Sequence, residues 1–325
     1  MVRPLALTGR RRRVALAAVL TGILLGGPRS TAQAPAADPA RLLNMLLDRA
    51  ATTASGTYAV TTSAVTLESS ALPIVVQADV MRGAEQTIRT AIVLGGTMAQ
   101  PYVAGVRVLA PATAPGTPPR VAGDAIGTGP AGAMRLVREF TLPPGQYEVH
   151  AAVGQAGGGG AIVTLHKFQL SVPDIWRGPL AVTPVVLGDA VAAVPRASGT
   201  RPFEFEPTAL TPAASDRFAQ SGSVHAAFRI YNWTPDDSVK PDVAVEYVFY
   251  QRSERGPRFF NKMKPQRLHA DTVGAAFAPA DGAVTAGMTV PLMSFPFGEF
   301  ELIVRVTDNR NKQSAERRVE FSVVP

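Results

Sequence analysis

The chain contains no cysteine. That absence excludes a disulfide framework, a thiol nucleophile, a thiolate metal site and lipid attachment through cysteine. Stability must then come from buried apolar area, which suits a sizeable sandwich core better than a small stapled scaffold. Histidine is scarce, with only His150, His166, His225 and His269. Neither a G-x-S-x-G nucleophile turn nor an H-E-x-x-H zinc motif occurs. Apart from one short apolar run near the N-terminus, no hydrophobic stretch reaches membrane-spanning length.

Acidic residues are missing altogether from positions 1–32, where Arg3, Arg10, Arg11, Arg12, Arg13 and Arg29 lie. An unbroken small and apolar run follows from Val14 to Gly27, then Pro28 and Ser30-Thr31-Ala32. A basic head, a short hydrophobic centre and a small-residue site predict an export signal cleaved near Ala32. Its removal takes six of the 32 basic residues, leaving 26 against 25 acidic ones and a net charge of about +1 instead of +7. The basic character that would suggest a nucleic-acid partner therefore belongs to the signal, and no nucleic acid is expected as a ligand. The working protein is expected to be periplasmic or secreted, with no membrane span after cleavage.

Asp38 is placed to cap a helix, Pro39 suits its first turn, and Leu42, Leu43, Leu46, Leu47 and Ala50 recur on one face. This predicts a helix over 39–53. Beyond it the pattern changes to short segments of period two, separated by turns drawn from 29 Gly and 28 Pro. Strands are expected at 72–81, 86–94, 102–109, 134–142, 146–153 and 161–172, and again at 180–187, 224–233, 242–251, 267–277, 288–293, 299–307 and 315–324. The stretches 111–125 and 191–200 read as long crossover loops. Leu142-Pro-Pro-Gly-Gln-Tyr147-Glu-Val149 returns as Phe295-Pro-Phe-Gly-Glu-Phe300-Glu-Leu302, 153 residues later from Gly145 to Gly298. That offset is a domain length. The fold class expected is all-β: two tandem immunoglobulin-like antiparallel β-sandwiches after a signal peptide and one short helix. The corresponding boundaries are signal peptide 1–32, helix and linker 33–71, sandwich 72–172, linker 173–179 and sandwich 180–325.

The runs LPPGQYEVHAAV…FQLSVPD, LAVTPVVLGDAV, PFEFEPTALTP…FRIYNW and FGEFELIVRVTDNRNKQSAERRVEFSV resemble the β-sandwich region of exported bacterial proteins of the GWxTD and von Willebrand factor A–related families. The resemblance covers most of the chain after about Leu72. Neither Trp176 nor Trp233 sits in Gly-Trp-x-Thr-Asp, and no Asp-x-Ser-x-Ser motif occurs. The resemblance thus implies a fold and a compartment and carries over no functional residue.

Gly127-Thr-Gly129-Pro-Ala-Gly132 matches a dinucleotide fingerprint in form but lacks a buried strand before it and a helix after it. It reads as a flexible loop, and Gly157–Gly160 as a slack hairpin turn. His150 and His166 flank that turn and could lie across a strand pair, although two histidines do not make a structural zinc site. With period-two placement His150 would be a solvated strand residue. Asp236-Asp237 reads as a turn. No catalytic, cofactor-binding or metal-binding residue is expected, and no cofactor. One surface feature stands out: Arg252, Arg255, Arg258, Lys262, Lys264 and Arg267, with Phe259-Phe260 among them and Glu254 the only acid. On a hairpin arm these residues would form a positive patch for an envelope protein or acidic polymer. The expected function is a non-catalytic exported envelope binding or structural module. The alternative is an accessory, non-catalytic subunit of an envelope protease or glycan hydrolase.

Overall fold

The computed structural model describes residues 38–61, 64–68, 74–111, 119–157, 160–194, 201–205, 207–236, 240–269, 272, 277–278 and 282–325. The export signal read over 1–32 and the residue Asp237 lie outside them. Helix α1 (Pro39–Arg49) begins where its sequence says it should: the Asp38 carboxylate accepts the Ala40 N–H at 3.0 Å, with proline just inside the helix. Leu42, Leu43, Leu46 and Leu47 bury the apolar face.

Nine strands follow in the first half of the described chain: β1 (Gly56–Val60), β2 (Val65–Glu68), β3 (Ile74–Arg82), β4 (Ile88–Met98), β5 (Tyr102–Ala110), β6 (Arg120–Gly129), β7 (Gly132–Thr141), β8 (Gly145–Gly157) and β9 (Gly160–Val172). They form one sheet in the order β2-β1-β9-β8-β5-β6 and a second in the order β3-β4-β7. The second half supplies β10 (Ala181–Val182), β11 (Val186–Ala193), β12 (Glu204–Phe205), β13 (Thr208–Pro212), β14 (Arg217–Ala219), β15 (Ser223–Tyr231), β16 (Asp242–Gln251), β17 (Arg258–Lys262), β18 (Gln266–His269), β19 (Phe277–Ala278), β20 (Ala283–Pro291), β21 (Gly298–Asp308) and β22 (Ser314–Val324). Here the third sheet runs β12-β13-β11-β15-β20-β19 with β10 beside β15, and the fourth runs β14-β22-β21-β16-β17 with β18 beside β16. Pairing is antiparallel except for the short β14–β22 contact, which is parallel. The fold is therefore all-β, built from antiparallel sheets packed face to face.

The described residues make one compact unit, and side-chain parity explains how. Helix α1 lies on the outer face of the first sheet, against Tyr58, Val163 and Leu165. The inner face (Val106, Val108, Val149, Val153) meets Ala78, Val80, Ile92 and Leu94 of the second sheet. The other face of that sheet (Met81, Ala91, Val93) packs on Val186, Leu210 and Ala227 of the third. The third sheet then turns Val224, Phe228 and Ile230 toward Val245, Phe249, Leu302 and Phe321 of the fourth. Burial on both faces is why β4 reads as a continuous apolar run, whereas β16 and β21 alternate.

Polar groups pin the second sheet to the third. Asp79 and Arg229, both buried, pair at 3.0 Å. Asp79 also accepts the Phe203 N–H at 2.7 Å, while Arg229 donates to the Glu204 carbonyl and stacks on Phe205. Gln77 bonds both the N–H and the carbonyl of Leu187. At Gly95 the backbone of the second half comes so close that an added Cβ would stand 2.6 Å from the Ala213 oxygen. Only glycine fits there.

Sequence and structure differ at identifiable places. The segment read as helix and linker contributes β1 and β2 to the first sheet. The crossover loop expected at 111–125 contains the start of β6, and that expected at 191–200 contains the end of β11. The fingerprint-like glycines are strand residues: Gly127 and Gly129 end β6, and Gly132 starts β7 at φ +119°. That corrects the flexible-loop reading. The glycines there make room for Leu136 and Arg138 across from Gly127, and for the Tyr102 ring beside Gly129.

The repeat is real in three dimensions. Each copy opens a long strand that pairs with the strand closing its half, β8 with β9 and β21 with β22. In the first copy the Tyr147 hydroxyl donates to the Pro143 carbonyl at 2.8 Å. In the second, Phe300 is fully buried among Phe260, Phe295 and Phe321. Gly298 takes φ +135°, a conformation that requires glycine, whereas Gly145 does not.

Candidate binding surface

The arm lies along one edge of the fourth sheet. β17 and β18 pair in succession with β16, so that Arg258 stands opposite Gln251 and Arg267 opposite Ala244. The core-facing residues of β16 are Val243, Val245, Tyr247 and Phe249. Residues opposite Ala244, Val248 and Tyr250 therefore point outward, which places Arg267, Lys262 and Phe259 on the outer face. Phe260 points the other way and packs on Phe295 at 4.7 Å between ring centres. The two adjacent phenylalanines thus have separate roles, one in the core and one on the surface.

All six basic residues of the arm are exposed, yet they are not electrically equivalent. Arg252 pairs with Glu320 and Lys262 with Glu246, each at 2.6 Å. These pairs join a ladder on the outer face that includes Arg305–Glu316 at 3.0 Å and Arg318–Glu316 at 2.9 Å. The two hydrogen-bonded arginines hold the Glu316 carboxyl below the usual carboxylate range, although burial opposes them. Among the described residues, Arg255, Arg258, Lys264 and Arg267 have no ion-pair partner. The uncompensated charge is therefore four residues strung along the sheet edge.

Apolar side chains lie at the same end. Phe259 is 57% exposed, Met293 76% and Phe297 53%. The Arg252 N–H donates to the Glu299 carbonyl at 2.9 Å, which sets the β20–β21 loop carrying Met293 and Phe297 beside the start of the hairpin turn. Phe259 is held by an edge contact with Tyr250 at 6.0 Å. Met293 and Phe297 were not singled out from sequence. The signal was in the repeat: Phe297 stands where the first copy has Pro144, an aromatic added at a position with no core to fill.

The histidines are dispersed. His150 is 1% exposed and contacts Glu148, so the solvated placement expected for it is overturned. It lies opposite Lys167 on the helix side of the first sheet, while His166 lies opposite the core-facing Ala151. The two rings are thus on opposite faces and do not converge. His225 bonds Thr289 at 2.8 Å, and burial pushes its pKa down against the pull of Asp189. Asp236 is a turn residue whose carboxylate accepts the Lys240 N–H at 2.8 Å and pairs with Arg310 at 3.2 Å. No cluster of three or more metal-ligating side chains occurs among the described residues. No described helix is long and apolar enough to cross a membrane. No protein-family model matches the chain, and no curated protein matches it.

Proposed function

We propose that the protein is a non-catalytic exported module of the bacterial envelope that binds an acidic protein or polysaccharide through the arm of its fourth sheet. The observation that carries this reading is a line of cations without ion-pair partners along the arm, Arg255, Arg258, Lys264 and Arg267, whose Arg258 end lies beside exposed Phe259, Met293 and Phe297. Elsewhere on that face Arg252, Lys262, Arg305 and Arg318 are each paired with a glutamate. Cations supply long-range attraction to an acidic surface, and the apolar groups supply contact area once water is expelled. In this reading the two halves are tandem immunoglobulin-like sandwiches. The sheet order closing each half and the Tyr147 hydroxyl bonded to the chain four residues upstream support that assignment. The basic and apolar N-terminus, and the resemblance to sandwich regions of exported GWxTD and von Willebrand factor A–related proteins, support the periplasmic or secreted location.

The test is a crosslinked pull-down from native envelopes with the full chain and with Arg255, Arg258, Lys264 and Arg267 all changed to Ser. Loss of a reproducible partner, together with weaker capture at high salt, is the expected result. Equal capture by the variant would remove the arm from the account.

A further inference from the structure

A second surface, which meets the arm at the Arg252–Glu320 pair, lies between the two halves of the molecule. It is a cleft of about 390 Å³ lined by Ile74, Val76, Phe168, Val185, Arg317 and Val319, among others. Strand edges frame it. β3 is the outer strand of its sheet. β9 is paired by β1 as far as Leu165, and just beyond it the Ser55 hydroxyl accepts the Lys167 N–H at 3.0 Å. Among the described residues, β22 is paired on its outer side by β14 at Ser322–Val324 alone. Upstream of Arg217 the chain turns away, and the Ala213 N–H bonds Leu187 of the third sheet. The line that β14 begins along β22 is therefore abandoned after three residues.

Two features identify what would take up that line. First, the edge from Glu316 to Glu320, which no strand among the described residues pairs on that side, spans five residues, about 17 Å at strand spacing, and its backbone groups are a template for one more strand. Second, Arg317 shares a face with Val319 and the buried Phe321, so that its guanidinium is half-buried at the cleft. Its Nη1 donates to the Glu316 carbonyl at 2.9 Å, and no carboxylate among the described residues pairs with it. Burial lowers its pKa. The adjacent Arg318, by contrast, is satisfied by Glu316 and Glu301.

We propose that this cleft captures an extended acidic peptide segment of a partner protein, which adds as a strand beside β22 and sets a carboxylate side chain on Arg317. Main-chain hydrogen bonds then give affinity, while the apolar wall of Ile74, Val76 and Phe168 and the Arg317 guanidinium select the sequence, and Asp216 and Glu320 of the same lining disfavour a second acid in the peptide. A guanidinium–carboxylate contact out of bulk water is the strong kind of hydrogen bond, so one position of the peptide must be Asp or Glu.

The experiment selects a random heptapeptide display library on the full chain, on Arg317→Gln, and on the arm variant Arg255→Ser, Arg258→Ser. The best peptide is then synthesised, and its affinity is measured beside that of its Glu→Gln or Asp→Asn counterpart. The full chain and the arm variant are expected to enrich clones that alternate apolar residues and fix one acidic position. Arg317→Gln is expected to lose that fixed acid, and neutralising the peptide should weaken binding at least about tenfold. Thermal melting of Arg317→Gln within a few degrees of wild type shows that the fold is intact. No enrichment on the full chain, or an unchanged acidic preference on Arg317→Gln, would overturn the proposal. An acidic preference lost only on the arm variant would assign it to the arm instead.

Discussion

The bond between the two halves can be tested at Asp79 and Arg229. Asp79 is fully buried and Arg229 nearly so, and they meet at 3.0 Å. At an effective dielectric constant of about 20 the pair attracts by about 5 kcal/mol, a sum largely offset by the desolvation of both ions. Removing one partner leaves the other charge buried alone, which costs about 3–5 kcal/mol, whereas replacing both with apolar residues is nearly neutral. Arg229→Met should therefore cost about 3–5 kcal/mol at pH 8, and Asp79→Leu with Arg229→Met should restore most of it. Burial raises the Asp79 carboxyl above its ordinary value, opposed by Arg229. Between those two values the folded state keeps a proton that the unfolded chain has released. The stability Asp79 adds is fully present below its ordinary value and is lost as pH rises through the raised one. Without Arg229 the rise is larger, so the Arg229→Met penalty should shrink as the pH is lowered toward 4. Urea unfolding at several pH values reads both effects through the midpoint at constant slope. An Arg229→Met cost below about 1 kcal/mol at pH 8, or strict additivity in the double variant, would show that the pair does not join the halves as argued.

Three further outcomes are expected. Tyr147→Phe removes the hydroxyl bonded to Pro143 and should cost about 1 kcal/mol in urea unfolding; no change would mean that Phe300 at the repeat position is its full equivalent. Gly95→Val places side-chain carbon against the Ala213 backbone, and the added bulk should cost at least about 1–3 kcal/mol while raising amide exchange in both β4 and β13; exchange raised in β4 alone would contradict the close packing of the halves. Asp38→Ala removes the helix cap, costs about 1 kcal/mol and speeds exchange in α1 ahead of the sheets; uniform acceleration would place the effect elsewhere.

Much of the fold was legible because its signals were local. Asp38-Pro39 followed by four buried leucines specifies one helix, and the alternation of Val243, Val245, Tyr247 and Phe249 specifies a strand with one wet face. What escaped were strands whose pattern is set by neighbours. β6 carries Gly123, Gly127 and Gly129, which weaken any strand signal and fit only because Phe140, Arg138 and Tyr102 fill the space. β1 follows directly on a helix, and its Tyr58 is anchored by a bond to the Ala54 carbonyl that no period reveals. The arm was legible as a run of charge, but its electrostatics were not. Glu320 lies 68 residues from Arg252 in sequence, and only the pairing of β21 with β16 and β22 brings it within 2.6 Å. His150 was misplaced for a related reason: the outer face of its strand is covered by α1, a partner about a hundred residues upstream.

The central functional reading is tested most directly by placing a photoreactive phenylalanine analogue at Phe259 or Phe297 in the full chain, with Leu67 and Val191, also exposed, as controls. After irradiation in intact envelopes, the account predicts a discrete crosslinked product from positions 259 and 297 alone. That product should vanish when Arg255, Arg258, Lys264 and Arg267 are changed to Ser. The same product from position 67 or 191, or its persistence in the fourfold variant, would contradict it.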